Sequence, residues 1–545
     1  MGLRRDTRWW GWGDPEEVAA LAPGGESMMR EREILPDVAP EPPSLESISL
    51  LPPAPLPDSL ADLVGSENVH TGHEDRVRHA AGQSLLDLLR LRSGELDQAP
   101  DAVIEPASAE TIAPLLEICS NEGIAVVPFG GGTSVVGGVA PVRGRFDRLI
   151  SLDLGNLRRF EVDRVSMTAR LGAGLRGPEA EGLLAAEGFT LGHFPQSFEY
   201  ATIGGFAATR SAGQASCGYG RFDSLVSSVR LVSPSGELST LATPHSSIGP
   251  SMRELIIGSE GIFGVIPDLG VRVRPAPEVR RYEGWIAESF DAGNSIIRSL
   301  AQSGGLPTVA RVSDEHETEV SVATSTPSGP AGALFRRYLK LRGRSGGSLI
   351  IVGFEGTGEE VRRQRARTIS ALRKGGAIRL GQSVGRGWVK GRYHGPYLRE
   401  ALLDRGVVVE TLETAHQWSA HASLYGETAA AIRSAMASCG MKGIVMCHLS
   451  HAYPDGASLY FTVISSPGSS GGIVSWPIVK SAAVEAIRRA GGTLSHHHAT
   501  GRDHAPWLAG EIGELGLEAI AGVKAGLDPE GIMNPGKLLP PLLPG

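Results

Sequence analysis

The densest chemistry in the chain is the run His496-His497-His498. Imidazoles titrate near neutrality, so they can carry protons or hydrogen-bond a sugar hydroxyl or a phosphate. A metal is the weaker reading. On an extended segment consecutive side chains alternate faces, so at most His496 and His498 point together, and no nearby cysteine or carboxylate pair completes a tetrahedral set. No metal is expected. The second concentration of chemistry is glycine. In Val126-Val127-Pro128-Phe129-Gly130-Gly131-Gly132-Thr133-Ser134 an apolar run ends at a proline and opens into three glycines and two hydroxyls. Bare backbone N–H groups in such a turn make an anion nest suited to a pyrophosphate, and the hydroxyls add donors. No lysine follows the glycines, which excludes a Walker A loop, and the spacing is not that of a Rossmann turn. Further glycine-rich loops lie near Gly204, Gly213 and Gly261. Each alone reads as a turn; together they suit one long cofactor approached closely by backbone along its length.

The elements that must position these loops are legible in outline. Ala102–Ile104 is a short strand, a helix capped by Ser108 carries Ile112, Leu115, Leu116 and Cys119 inward, and Ile124–Val127 is the strand that delivers the first loop. Leu149–Ala173 contains a pair of strand-like runs, Pro178–Glu187 a short helix, and Val226–Pro234 another strand. Pro275-Ala276-Pro277 marks the clearest boundary. Beyond it the spacing changes to an α+β pattern with longer helices, including Val479–Ala490 and Leu508–Leu527. Upstream, Leu60–Leu96 has helical spacing, the proline-rich stretch from Leu35 to Asp58 reads as an extended connector, and Trp9, Trp10 and Trp12 are expected to pack on the body.

Composition narrows the function. At 545 residues the chain exceeds one core, and 41% hydrophobic with 21% charged residues fits a globular protein. A formal net charge of −8 and the lack of a basic stripe argue against nucleic acid as a partner. Four cysteines without C-x-x-C spacing fit neither structural zinc nor a disulfide scaffold, and suit a reducing compartment. Met1-Gly2, Arg4, Arg5 and the closing Leu543-Pro544-Gly545 match no secretory, myristoylation or peroxisomal signal, and no apolar run is long enough to span a membrane.

The glycine loop, Gly192–Gly205, Gly258–Ile266 and the closing Asp528–Lys537 resemble the FAD-binding domain of the vanillyl-alcohol oxidase superfamily of flavoproteins. The resemblance implies an α+β fold: a two-subdomain FAD-binding domain of the PCMH type (residues 98–277), an α+β cap (278–500), a closing segment that returns to the FAD domain (501–545), and a helical N-terminal region (1–97). It implies FAD held by Pro128, Phe129, Gly130, Gly131, Gly132, Thr133 and Ser134, and by Gln196, Ser197, Phe198, Glu199, Tyr200, Ala201 and Thr202. Thr209, Arg210, Ser211 and Ala212, with Glu260, Gly261, Ile262, Phe263, Gly264, Val265 and Ile266, complete the expected set.

Within the superfamily, Arg8-Trp9-Trp10-Gly11-Trp12-Gly13, Glu74-Asp75-Arg76-Val77 and Ser495-His496-His497-His498 are similar to the branch that makes ether lipids. That resemblance implies exchange of the acyl chain of acyl-dihydroxyacetone phosphate for a fatty alcohol, without net use of FAD for redox. Tyr460 and the three histidines would be catalytic, and Arg311, Arg399 and Arg502 would meet the substrate phosphate. The same resemblance implies a homodimer with a small-molecule lipid substrate, in the cytoplasm and compatible with peripheral membrane contact. Two departures count. Gln196 stands where animal members of the branch have aspartate, and Gly346–His394, where an acyl channel would be lined, follows the branch loosely. An FAD-linked oxidase or dehydrogenase of a 2-hydroxy acid or alcohol is the alternative.

Overall fold

The β-branched run Ile124–Phe129 forms the inner edge of a four-stranded sheet, in the order Val69–His70, Ala102–Ile104, Arg148–Asp153, Ile124–Phe129. The architecture comes from a computed structural model, which describes residues 6–539 except 17–18, 42, 95, 97 and 326–329. The terminal residues considered above for targeting lie outside these. The last three strands of the sheet run parallel, and the helix Ile112–Glu122 makes the crossover. Its apolar positions Ile112, Leu115, Leu116 and Cys119 are buried as the 3.6 period requires, and Gly123 closes it in the left-handed region at φ +61°. Ser108 does not cap that helix: a 3₁₀ turn, Ala109–Thr111, intervenes, and the Ser108 hydroxyl meets that of Thr111 at 3.3 Å. The chain's closing segment docks here. The N–H of Val126 donates to Ile532 O at 2.8 Å and the N–H of Asn534 to Val126 O at 2.8 Å, so the segment adds to the strand that carries the glycine loop.

A second, antiparallel sheet of five strands follows the order Phe160–Asp163, Thr168–Gly172, Asp268–Arg272, Val226–Ser233, Gly236–Ser239. Where two strands were expected between Leu149 and Ala173 there are three, because Val165 and Met167 turn the chain back between them. Leu171, Leu184, Phe206, Phe222 and Phe263 form its core. Arg274–Pro275 pairs with Phe189–Thr190, and four residues later Val279 enters the third and largest sheet.

That sheet has seven strands, all antiparallel, in the order Ile378–Gly381, Val279–Ala287, Ser348–Gly356, Val309–Ser313, Gly443–Leu449, Gly456–Ser465, Val408–Gln417. Its strands alternate cleanly. On Gly456–Ser465 the side chains of Leu459, Phe461 and Val463 enter a core with Trp285, Phe354 and Trp476, while Tyr460, Thr462 and Ile464 face the other way, into a cavity. Helices Phe290–Gln302, Gly358–Lys374, His421–Ser438 and Gly472–Arg489 supply the covered face.

Other sequence expectations shift in register. Leu60–Leu96 is three helices, Asp58–Val64, His73–Arg78 and Leu85–Ser93, separated at Gly65 and Gly82. The helix expected at Val479 begins at Gly472 and runs through Pro477, whose missing N–H falls in the second turn. The last helix, Ala509–Leu527, is broken by Gly513 at φ +75°. Trp12 is buried and sets its ring edge-on against Tyr200, 4.9 Å between centroids, so the tryptophan cluster does pack on the body.

Candidate active site

A cavity of about 1250 Å³ lies between the glycine loops and the uncovered face of the seven-stranded sheet. Pro128–Ser134 line one wall, with Gln196, Ser197, Ala201, Thr202, Thr209, Ser211, Ala212, Glu260, Gly261, Gly264 and Ile266. Gly132 sits at φ +66°, and a Cβ on Gly131 would collide with the carbonyl oxygen of Tyr200, so the loop folds only with glycine at these places. Among the described residues the backbone N–H groups from Gly131 to Val135 meet no protein acceptor, which leaves them facing the cavity as an anion nest. Gln214 adds a buried Oε1 without a partner in the same wall. A long dianionic cofactor with ring donors fits this lining.

Several residues expected to hold the cofactor use their side chains elsewhere. Phe198 stacks on Tyr393, Glu199 accepts from the Tyr397 hydroxyl at 3.1 Å, and Tyr200 supports Trp12. Arg210 pairs outward with Glu254 at 3.1 Å, while Ile262, Phe263 and Val265 are core residues. Their side chains pack against the protein, which a contiguous motif does not distinguish from side chains that face a ligand.

The opposite wall carries titratable side chains. Tyr460 has His448 stacked on one side at 4.8 Å and His497 on the other at 6.0 Å, with His498 edge-on at 5.4 Å. Burial pushes the Tyr460 hydroxyl up to about 12, so it is protonated at neutral pH. His497 and His498 line the cavity, and His496 does not: it turns behind them, its Nε2 2.8 Å from the Tyr453 hydroxyl. Burial and the neighbouring His497 drive His496 and His498 down to about 3, so both are neutral at physiological pH. The loop is bent rather than extended. It also brings His451 alongside, and the nitrogens of His451, His496 and His497 lie within 4.8 Å of one another, which corrects the geometric premise that only His496 and His498 could point together.

Arg311 reaches the cavity from Val309–Ser313, donating to Glu317 at 2.6 Å; Glu317 also meets His448 Nδ1 at 2.8 Å. Burial works to raise the Glu317 carboxyl, but Arg311 and His448 outweigh it and hold it well below its ordinary range. Arg399 reaches the cavity too, anchored by Gln83 O at 2.9 Å and Gln83 Oε1 at 2.6 Å. Arg502 is not brought to the cavity. It pairs with Asp87 at 3.2 Å behind the first glycine loop. An apolar arm extends the space away from the histidines, lined by Met28 and Met29 of the N-terminal helix Pro23–Glu31 and by Ile444, Met446 and Ile464. The sequence reading did not single out Glu317, His448, His451, Tyr453 or Glu413. The last was detectable as a charge inside the strand-like run Val407–Thr414, where a buried acid must have donors.

Comparison with known proteins agrees with this geometry. Residues 100–242 match the family of FAD binding domains, and residues 276–538 match the C-terminal domain of FAD linked oxidases. The fold is also that of a 4-ethylphenol oxidase from Gulosibacter chungangensis, at TM-score 0.66 and 14% identity over 88% of this chain and 96% of that one. The protein is thus a flavoenzyme of the FAD-linked oxidase fold, with FAD as its cofactor. Its sequence is 35% identical to the alkyldihydroxyacetonephosphate synthase of Trypanosoma brucei brucei, over 91% of this chain and 83% of the relative. It is 30% identical to that of Dictyostelium discoideum over 99% and 94%. A solved alkyldihydroxyacetonephosphate synthase structure superimposes at TM-score 0.84, with 28% identity, 98% of this chain and 99% of that one covered. The chain belongs to the alkyldihydroxyacetonephosphate synthase family.

Proposed function

We propose that the protein exchanges the acyl chain of acyl-dihydroxyacetone phosphate for a fatty alcohol, forming the ether bond of ether lipids and releasing a fatty acid. The observation that carries this reading is that one cavity joins a flavin cradle, a wall of Tyr460 and histidines flanked by Arg311, and an apolar arm. Bound FAD supplies at N5 a nucleophilic centre for C1 of the substrate, with no net change of oxidation state. The residues of the chain do the rest. Arg311 and Arg399 present guanidinium forks to the phosphate. Tyr460 hands over a proton and the histidine loop accepts one; at neutral pH the exchange yields a carboxylate and a proton, so a site poor in water needs an acceptor. The apolar arm takes the aliphatic chain, worth about 0.8 kcal/mol per buried methylene.

Pro128–Ser134 would cradle the pyrophosphate, and the other cavity-lining residues named above the rest of the cofactor. The reading includes a cytoplasmic homodimer that touches membranes peripherally. What supports the membrane contact is that the long aliphatic chains of both substrates partition into a lipid surface.

The test is a turnover under anaerobic conditions, with acyl-dihydroxyacetone phosphate and a labelled fatty alcohol. Labelled ether product without lasting flavin bleaching is expected. Stable bleaching by a 2-hydroxy acid, with no label incorporated, would establish a dehydrogenase instead.

A further inference from the structure

We propose that Glu413 is a positioning residue of this site, fixing the turn of the histidine loop and holding His497 as its Nδ1–H tautomer, with Nε2 as the basic nitrogen. The proposal rests on the reading of the histidine loop as the proton acceptor.

Glu413 lies on Val408–Gln417, directly opposite Tyr460 in the sheet register, and is 2% exposed. A carboxylate buried this deeply is tolerated only when donors surround it. Among the described residues the donors come from one loop. Its oxygens accept from the Ser495 hydroxyl at 2.7 Å and from the backbone N–H of His496 at 2.7 Å, His497 at 2.8 Å and His498 at 2.8 Å. The loop is therefore bent around one carboxylate.

The same group chooses among the imidazoles. Glu413 Oε2 is 3.3 Å from His497 Nδ1, which among the described residues makes His497 the member of the triple run with an ion-pair contact to a carboxylate. A nitrogen lone pair facing that charge would be repelled, so Nδ1 carries the proton. His496 Nδ1, 3.1 Å from the same nitrogen, is then an acceptor, and its own proton sits on Nε2 and is donated to Tyr453. A carboxylate behind one imidazole nitrogen fixes the tautomer and stabilises the cation formed when the other nitrogen takes up a proton. Burial works to raise the Glu413 carboxyl, but His497, His498 and His496 outweigh it and keep it well below the ordinary range, so it stays charged. His496 and His498 make no such contact; the Glu413 charge works to raise both, but burial and then His497 outweigh it and drive them down to about 3.

The experiment is a two-bond ¹H–¹⁵N correlation spectrum of the ¹⁵N-histidine-labelled holoprotein at pH 7.5, with His497→Gln identifying the His497 signals. The Nδ1–H pattern is expected in the unaltered protein. Glu413→Gln should retain the flavin absorbance, lose the Nδ1–H pattern and lower turnover about a hundredfold, with Glu413→Asp recovering part of it. An Nε2–H pattern at His497 in the unaltered holoprotein overturns the proposal, as does a Glu413→Gln enzyme of full activity. If Glu413→Gln does not fold, the tautomer in the unaltered protein decides. A wrong substrate assignment would instead abolish ether product in the unaltered enzyme and leave the tautomer result standing.

Discussion

At the scale of single residues, Tyr460 and Arg311 show how environment assigns a role. A tyrosine midway along a strand is ordinarily a half-buried packing residue. Here its ring is held between His448 and His497, and burial keeps its hydroxyl protonated to about 12. A group that begins protonated is a donor, and becomes an acceptor only after passing its proton to a neighbour. Tyr460→Phe keeps the ring and both stacking contacts while removing the proton, so flavin content and melting temperature should be unchanged. Ether formation should fall about a hundredfold or more, the usual worth of a positioned acid–base group. Flavin loss in that variant would make Tyr460 a structural residue. By its own spacing Arg311 is legible only as a cation, and its expected place at the substrate phosphate comes from the resemblance. That Glu317 holds its guanidinium at 2.6 Å, leaving it at the cavity wall, depends on a helix residue that no spacing rule connects to it.

At the scale of elements, the glycine loop is the clearest case of sequence dictating shape. Gly131 has no room for a Cβ because the Tyr200 carbonyl closes over it. Gly131→Ala forces the backbone of one loop away from the other, a shift of the kind that costs about 1–3 kcal/mol in a packed region. FAD affinity, measured by flavin fluorescence on titration of apoprotein, should weaken about tenfold or more, while the seven-stranded sheet and its thermal transition persist; undiminished affinity would remove the loop from the cradle. Strands and helices around this loop are readable because Ile124–Phe129 is a short continuous apolar run, Ile112–Glu122 follows a period of 3.6, and a glycine stop lies between them. The histidine loop is not readable in the same way. Its bend is imposed by Glu413, some 80 residues earlier, and alternation of faces, the natural assumption for three consecutive side chains, fails there. The same limit explains why a motif cannot show that the side chains of Phe198, Ile262 and Phe263 pack on the protein. A contiguous motif reports that a loop is constrained without telling which side of it faces the ligand.

At the scale of the whole molecule, the cavity lies between the seven-stranded sheet and the glycine loops, and many titratable groups around it and in the cores are buried. His193 in the five-stranded sheet's core and His496 and His498 in the loop are driven to about 3, and His421 under the large sheet and His504 beyond the loop to about 4, burial being the first cause in each. Their folded values lie below the ordinary 6.5, so between pH 6.5 and about 4 the unfolded chain binds more protons than the folded one. Stability from these groups is therefore present above pH 6.5 and lost as pH falls. Asp314 and Glu260, both raised to about 7 by burial, act in the opposite sense: their contribution is present below about pH 4 and is lost as pH rises to 7. With His448 and His451, seven imidazoles are lowered among the described residues, against six raised carboxyls once Asp87, Glu105, Glu181 and Glu410 join Asp314 and Glu260. The carboxylates held low, Glu317 and Glu413 among them, also lose their contribution as pH falls, so the balance is a net loss on acidification. The melting temperature of the holoprotein at constant ionic strength should fall steadily from pH 6.5 to 4, and His421→Gln, away from the cavity, should flatten that slope. A melting temperature that stays level or rises over this interval would mean that the buried histidines are protonated in the fold, and the neutral imidazoles assigned to the histidine loop would have to be abandoned with them.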